Sequence, residues 1–243
     1  MWPRLWVVML TGAIGCERST EPAAPVLPAA PPPATKPKFS FPTENRTLLR
    51  LGEETKFFAP TGPGRPWNSG AFGCVRNTST RIHEGIDIRA LHRDSRNEPT
   101  DLVQAARNGV VTYINSNVAA SNYGKYIVLR HVIEDLQVYS LYAHLSEIKE
   151  GLKVDQSVTG GDMIGTLGRT TNTKDAISKD RAHLHFEIGL QINTRFESWF
   201  QHWYTGGKNH HGAWNGMNLL GLDAADILRQ DTAGNFNFTS HIS

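Results

Sequence analysis

Thiols are scarce in this chain: 243 residues include two cysteines, Cys16 and Cys74. Two thiols make neither a disulfide framework nor a thiolate zinc cluster. A metal site must therefore draw on imidazoles and carboxylates, and ten histidines are present to supply it. Charge of one sign is lacking as well. Lys and Arg number 25 against 23 Asp and Glu, a net of +2, so no strong field draws the chain to nucleic acid or to an anionic membrane face. Long apolar runs are missing too: positions 5–15 form a run of eleven residues behind Arg4, whereas spanning a bilayer takes about 20. What is present suffices for a packed domain, since 39% of residues are hydrophobic and 20% charged, a balance that excludes global disorder.

The apolar run with Arg4 before it reads as a secretory signal, residues 1–15, with Ala13 and Gly15 meeting the small-residue rule for cleavage. Cys16 then becomes the first mature residue and resembles the lipid acceptor of a bacterial lipoprotein. The competing reading is plain secretion, with Cys16 free or paired to Cys74. Residues 17–38 hold most of the prolines and no hydrophobic periodicity. Proline fixes φ and lacks a donor, so 16–45 reads as an extended tether with a reach of up to about 90 Å. One globular domain, 46–243, follows. The organisation implies an exported bacterial protein, anchored by lipid to a membrane that faces the periplasm or cell wall, or secreted if Cys16 is not lipidated. Membrane contact would come through the lipid alone, and no nucleic-acid partner is expected.

From Thr47 onward, short apolar runs are cut by Gly, Asn and Asp. Strands are expected at 102–106, 110–114, 125–132, 137–144, 163–167 and 182–190. The turn-rich intervals between them favour a mainly β, antiparallel domain with few short helices over βαβ units. Residues 223–230 read as a helix with Asp223 as N-cap. The polar stretch 89–101 looks like an inserted loop. The stretch 191–218, with Trp199, Phe200, Trp203, Tyr204 and Trp214, reads either as a satellite core or as a wall for glycan or peptide.

Three segments carry chemistry. In His83-Glu-Gly-Ile-Asp87 an imidazole and a carboxylate four residues apart could converge if the chain bends at Gly85. In Tyr142-Ala-His144-Leu-Ser a histidine sits where a strand runs into a loop. In Ala182-His-Leu-His-Phe-Glu-Ile188 strand alternation sends Ala182, Leu184, Phe186 and Ile188 to the core and His183, His185 and Glu187 to the other, open face. The two imidazoles are then about 7 Å apart along the strand. That spacing suits one histidine on a metal and its neighbour beside a metal-bound water. Catalytic zinc takes three protein ligands and keeps a fourth position for water. Two histidines and one aspartate form the natural set here, leaving further histidines to move protons and stabilise charge. Spacing alone does not say which histidine of the third segment binds the metal.

These three motifs, in this order, resemble the lysostaphin-type (LytM-domain) zinc metalloendopeptidases, which cut peptide bonds in bacterial peptidoglycan. Asn108-Gly-Val-Val, Asn122-Tyr-Gly-Lys-Tyr-Ile-Val and Gly161-Asp-Met-Ile-Gly-Thr-Leu-Gly168 extend the likeness over about 72–190, and 219–243 holds a closing segment. The resemblance implies an antiparallel β core of the duplicated hybrid motif type with a groove over one Zn2+. It implies His83, Asp87 and His185 as zinc ligands and His144 and His183 as the catalytic pair, acting on peptidoglycan peptide stems. The chain departs from the family at Asp155 and Thr171, where glycine is usual, and in the longer 89–101, 172–181 and 191–218 segments. Two rivals stand beside the enzyme reading: a non-catalytic wall-binding module or amidase activator, and a zinc peptidase of a non-wall protein.

Other groups have weaker claims. His131 reads as structural or as a support to a ligand, and Glu187 as orienting one of the histidines or as plain surface. His210 and His211 read as exposed. Cys74 reads as a buried free thiol, a zinc-blocking ligand or a partner of Cys16.

Overall fold

The computed structural model describes residues 38–62, 64–76 and 81–243. The expected signal, Cys16 and 16–37 of the expected tether lie outside the described residues. The remainder of that tether is part of the fold. Phe39, Phe41, Thr43 and Asn45 are buried, and the backbone of Gln104 donates to the Pro42 carbonyl at 2.8 Å. The Asn45 amide donates to the carbonyls of Lys56 and Arg89. Proline content hid this start, because two buried phenylalanines outweigh local stiffness.

The main sheet has the strand order β12-β11-β7-β6-β5-β9, comprising β5 Gly109–Asn115, β6 Lys125–Ile133, β7 Leu136–Leu145, β9 Ser157–Val158, β11 His183–Gln191 and β12 Leu219–Leu222. Strand β3, Ile86–Arg89, pairs with the first half of β11, on the edge whose second half takes β12. A smaller sheet joins β4 Leu102–Gln104, β10 Met163–Thr166 and β8 Glu147–Ile148, and a hairpin pairs β1 Val75–Arg76 with β2 Arg81–Ile82. These ladders are antiparallel, as the turn-rich spacing implies. Glu134 and Asp135, both at positive φ, close the tight β6–β7 turn with the backbone twist that two-residue hairpins favour. Asp155 also has positive φ, at 67°, which is why a turn position usual for glycine accepts aspartate.

Strand alternation builds two cores. Ile127 and Leu129 of β6, Tyr142 of β7 and Leu184, Phe186 and Ile188 of β11 pack into the main one. Their neighbours Tyr126, Val128, Tyr139, Leu141 and Ala143 face the other side, where Leu219, Tyr113, Tyr123 and Trp214 cover them. Each large side chain so buried contributes about 1.5–3 kcal/mol. The insertion 191–218 thus supplies a satellite core through Trp214. A single helical turn, α1 Glu54–Phe57, precedes the strands, and the insertion contains a helix absent from the sequence reading, α2 Phe196–Trp203. Phe196 and Phe200, one turn apart, are its buried residues, while Trp199 and Trp203 stay exposed. Helix α3 runs Ala224–Ala233, with the Asp223 carboxylate accepting from the Ala225 and Asp226 amides and Gly234 ending it at φ 82°.

His131 is a fold residue. Its Nδ1 donates to the Asn108 carbonyl at 2.9 Å and its Nε2 meets Ser140 Oγ at 2.7 Å. Ser140 Oγ in turn lies 2.9 Å from the Tyr142 hydroxyl, which accepts from the Ala106 amide. Burial lowers the imidazole to about 4, against the opposing bond to Asn108. The neutral form therefore belongs to the folded state, whereas the unfolded imidazole protonates near its ordinary value of about 6.5. The stability it contributes is complete above about pH 6.5 and lost as pH falls towards about 4, a span worth on the order of 3 kcal/mol. Urea unfolding of His131→Gln should show a pH dependence shallower than the native chain's by that order between pH 7 and 4; parallel curves would contradict this origin.

Candidate metal centre

The cross-strand register sets the site. On β11, His185 stands opposite Asp87 of β3 on one side and Ala143 of β7 on the other. Antiparallel partners project to the same face, so the Asp87 carboxylate and His185 imidazole meet, and His144 follows one residue after Ala143. Close approach of β3 to β11 requires Gly85: a Cβ there would stand 2.4 Å from the Phe186 carbonyl oxygen. The glycine is needed for packing, since its φ lies outside the left-handed region. His83 comes back to the same point because its amide and carbonyl pair with the Cys74 carbonyl and the Gly73 amide.

His83, Asp87 and His185 form a buried cluster of converging ligand atoms. His83 Nε2 lies 3.0 Å from His185 Nδ1 and 3.1 Å from Asp87 Oδ1, and Asp87 Oδ1 lies 3.1 Å from His185 Nδ1. Zinc bonds of about 2.0–2.2 Å give tetrahedral edges of about 3.3–3.6 Å, so this triangle is close to metal size. The outer partners orient the ligands. His83 Nδ1 donates to the Ala71 carbonyl at 2.9 Å and His185 Nε2 to Glu187 Oε1 at 2.9 Å. Both acceptors lack a proton to give, so the two rings, once neutral, turn the lone pairs of His83 Nε2 and His185 Nδ1 towards the Asp87 oxygen. Three lone pairs at 3 Å repel unless a proton or a cation lies among them, and the donor set fits zinc. Burial would raise Asp87, but His83 and His183 hold it well below the carboxylate range. For His185, burial is outweighed by Asp87 and Glu187 on its two nitrogens, which raise it to about 9, so any metal displaces a proton there.

Beside this triangle stand His144 and His183, their ring centroids 4.9 Å apart. His144 Nδ1 donates to the Thr170 carbonyl at 2.8 Å and His183 Nδ1 to the Arg181 carbonyl at 2.6 Å, leaving each Nε2 as a free base. His183 Nε2 lies 3.5 Å from Asp87 Oδ1. Burial and the neighbouring imidazoles hold His144 well below the ordinary histidine value, and burial lowers His183, so both are neutral proton acceptors near pH 7. His144 has φ 61°, an uncommon conformation for a residue with a Cβ, held here at the end of β7.

The expected open face is in fact covered: His183, His185 and Glu187 are 4%, 5% and 0% exposed. Glu187 accepts from the hydroxyls of Tyr123 at 2.7 Å and Tyr139 at 2.8 Å, which fixes it as the support of His185 rather than a surface carboxylate. Those tyrosines were absent from the sequence reading of the site; Tyr123 in the Asn122-Tyr-Gly motif was the available signal. Among the described residues His131 bonds to Asn108 and Ser140 and its ring meets Phe39, none of them one of the five site residues. His211 is tied down: its ring nitrogens meet the Tyr113 hydroxyl and the Ala120 carbonyl, each at 2.9 Å. Cys74 is a partly exposed free thiol outside the ligand cluster. A cleft of about 170 Å³ at His83, His144 and His185 shares Arg81, Asn122 and Tyr123 with a trough of about 350 Å³, which is also lined by His211 and residues 215–217 of the insertion. Glu187→Gln should weaken zinc binding by about 10–100-fold in a chelator-competition titration, and an unchanged affinity would remove Glu187 from the support of His185.

Residues 81–195 match the model of Peptidase family M23. No curated protein matches the chain. Among solved structures it is similar to Csd3 of Helicobacter pylori, at 26% identity and TM-score 0.35 over 54% of this chain and 31% of that one. It is similar to the catalytic domain of lysostaphin from Staphylococcus simulans, at 23% identity and TM-score 0.35 over 49% and 75%. A zinc-containing peptidase from Vibrio cholerae is similar at 22% identity and TM-score 0.37 over 56% and 37%. The match thus spans about a third of the length of two of these proteins. His83, Asp87, His144, His183 and His185 all fall inside the span 81–195 that matches the model of Peptidase family M23.

Proposed function

We propose that the chain is a zinc-dependent endopeptidase that hydrolyses peptide cross-links of bacterial peptidoglycan. The observation that carries this reading is the meeting of three buried ligand atoms, two on imidazoles whose other nitrogen is engaged from outside, beside two neutral imidazoles with free Nε2 atoms. His83 Nε2, His185 Nδ1 and Asp87 Oδ1 would hold one zinc ion. Bound there, zinc supplies Lewis acidity towards a peptide carbonyl and lowers the pKa of a water towards about 7.

The chain's own residues do the rest. His144 and His183 accept protons at Nε2, because their Nδ1 protons are committed to the Thr170 and Arg181 carbonyls. Once protonated, either imidazole can stabilise developing negative charge or return the proton to the leaving amine. The trough lined by Arg81, Asn122 and Tyr123 receives the peptide on one side of the cut bond, and the insertion closes that side. The match to Peptidase family M23 supports a peptide substrate, and this reading takes the peptide stems of the wall as that substrate. Export and a lipid on Cys16 would hold the domain near a membrane facing the periplasm or wall.

The test is digestion of purified, cross-linked peptidoglycan followed by fragment analysis. New peptide termini should appear and vanish with a chelator. His183→Ala and His144→Ala should each lose about 100-fold or more in rate while retaining zinc, whereas His83→Ala should lose the metal. Zinc-loaded protein that binds several walls and releases nothing would replace this reading with a wall-binding module or amidase activator. For the anchor, Cys16→Ala should move the protein out of the membrane fraction; unchanged partitioning would refute lipidation.

A further inference from the structure

Asp87 has two carboxylate oxygens, and the site uses them differently. Oδ1 meets His83 Nε2 and His185 Nδ1, both at 3.1 Å. Oδ2 is held 2.8 Å from Arg76 Nη2. The same nitrogen donates at 3.2 Å to the carbonyl of Ser69, a buried residue whose hydroxyl is itself bound to the Pro66 carbonyl. Arg76 reaches this place from β1, next to Arg81 in the register of the β1–β2 hairpin, and its side chain lines the metal cleft. Its Nε is buried without a hydrogen-bond partner among the described residues, an unfavourable arrangement for a charged group. That guanidinium stands against a carboxylate only 1% exposed.

We propose that Arg76 is a positioning residue that restricts Asp87 to one-oxygen ligation of the metal. The inference rests on the zinc reading of the site. A carboxylate free to rotate can offer both oxygens to one cation. Two oxygens and two imidazole nitrogens already fill four positions, so a water or substrate is then taken only by expanding the site from tetrahedral to five-coordinate. Arg76 removes that option by engaging Oδ2 with a charge-assisted bond whose direction is set by the Ser69 carbonyl. Lysine would supply the charge without two protons fixed on one planar nitrogen. A second effect follows from position: Arg76 keeps a net positive group beside a buried carboxylate before any metal arrives, so the cleft does not need to rearrange on loading.

The test uses the full chain loaded with cobalt(II), whose visible absorption is strong in tetrahedral sites and weak in five-coordinate ones. Native protein should give the strong spectrum. Arg76→Ala and Arg76→Gln should give the weaker one, with kcat down about 10–100-fold and KM little changed. Added guanidinium at low concentration should restore both spectrum and rate in Arg76→Ala. Native-like cobalt spectra in both variants would overturn the proposal, whatever their activity. Failure of both to fold would also overturn it, making Arg76 a fold residue. Native protein that takes up neither cobalt nor zinc is a separate failure, that of the zinc reading itself.

Discussion

The pairing of Asp87 with His185 across β3 and β11 is the constraint on which the rest depends. A slip of one residue would turn His183, His185 and Glu187 into the main core and expel Leu184, Phe186 and Ile188. Both faces of β11 are buried, so neither outcome has anywhere to go. The strand is held on both edges as well, by β7 on one and by β3 and β12 end to end on the other. Precision at the His83–Asp87–His185 triangle is therefore a by-product of a strand that packs in only one register.

The same burial creates the site's electrostatics. Asp87 and Glu187 are two carboxylates almost out of contact with water on either side of one imidazole. Each is supported by its own donors: tyrosine hydroxyls for Glu187, and the Arg76 guanidinium for Asp87. Low dielectric strengthens these bonds and penalises any missing one. It also keeps His144 and His183 neutral, so one physical cause serves both the ligand set and the bases.

Most of the framework was legible in the sequence, because its strands alternate cleanly and its turns carry Gly, Asn and Asp. The expected strands 125–132, 137–144 and 182–190 became Lys125–Ile133, Leu136–Leu145 and His183–Gln191. The three histidine motifs could be read for the same reason: chemistry at short spacing on periodic segments. What sequence hid was long-range. Nothing local says that 191–218 folds back over the sheet and turns an open face into a covered one, or that Tyr123 and Tyr139, 64 and 48 positions from Glu187, both reach it. Arg76 was silent because its meaning lies in Asp87, eleven positions on. Helix α2 was missed because a short aromatic segment carries no pattern that separates a packed helix face from a loop.

Three of the four imidazoles at the centre, those of His83, His144 and His183, are oriented by main-chain carbonyls, and only His185 leans on a side chain. A carbonyl is encoded by no particular codon. Ala71, Thr170 and Arg181 can drift in identity while still presenting the same oxygen, provided the backbone keeps its course. Glu187 has no such freedom. The site is thus robust to sequence change at three corners and brittle at the fourth, and variation among related chains should be expected to follow that asymmetry.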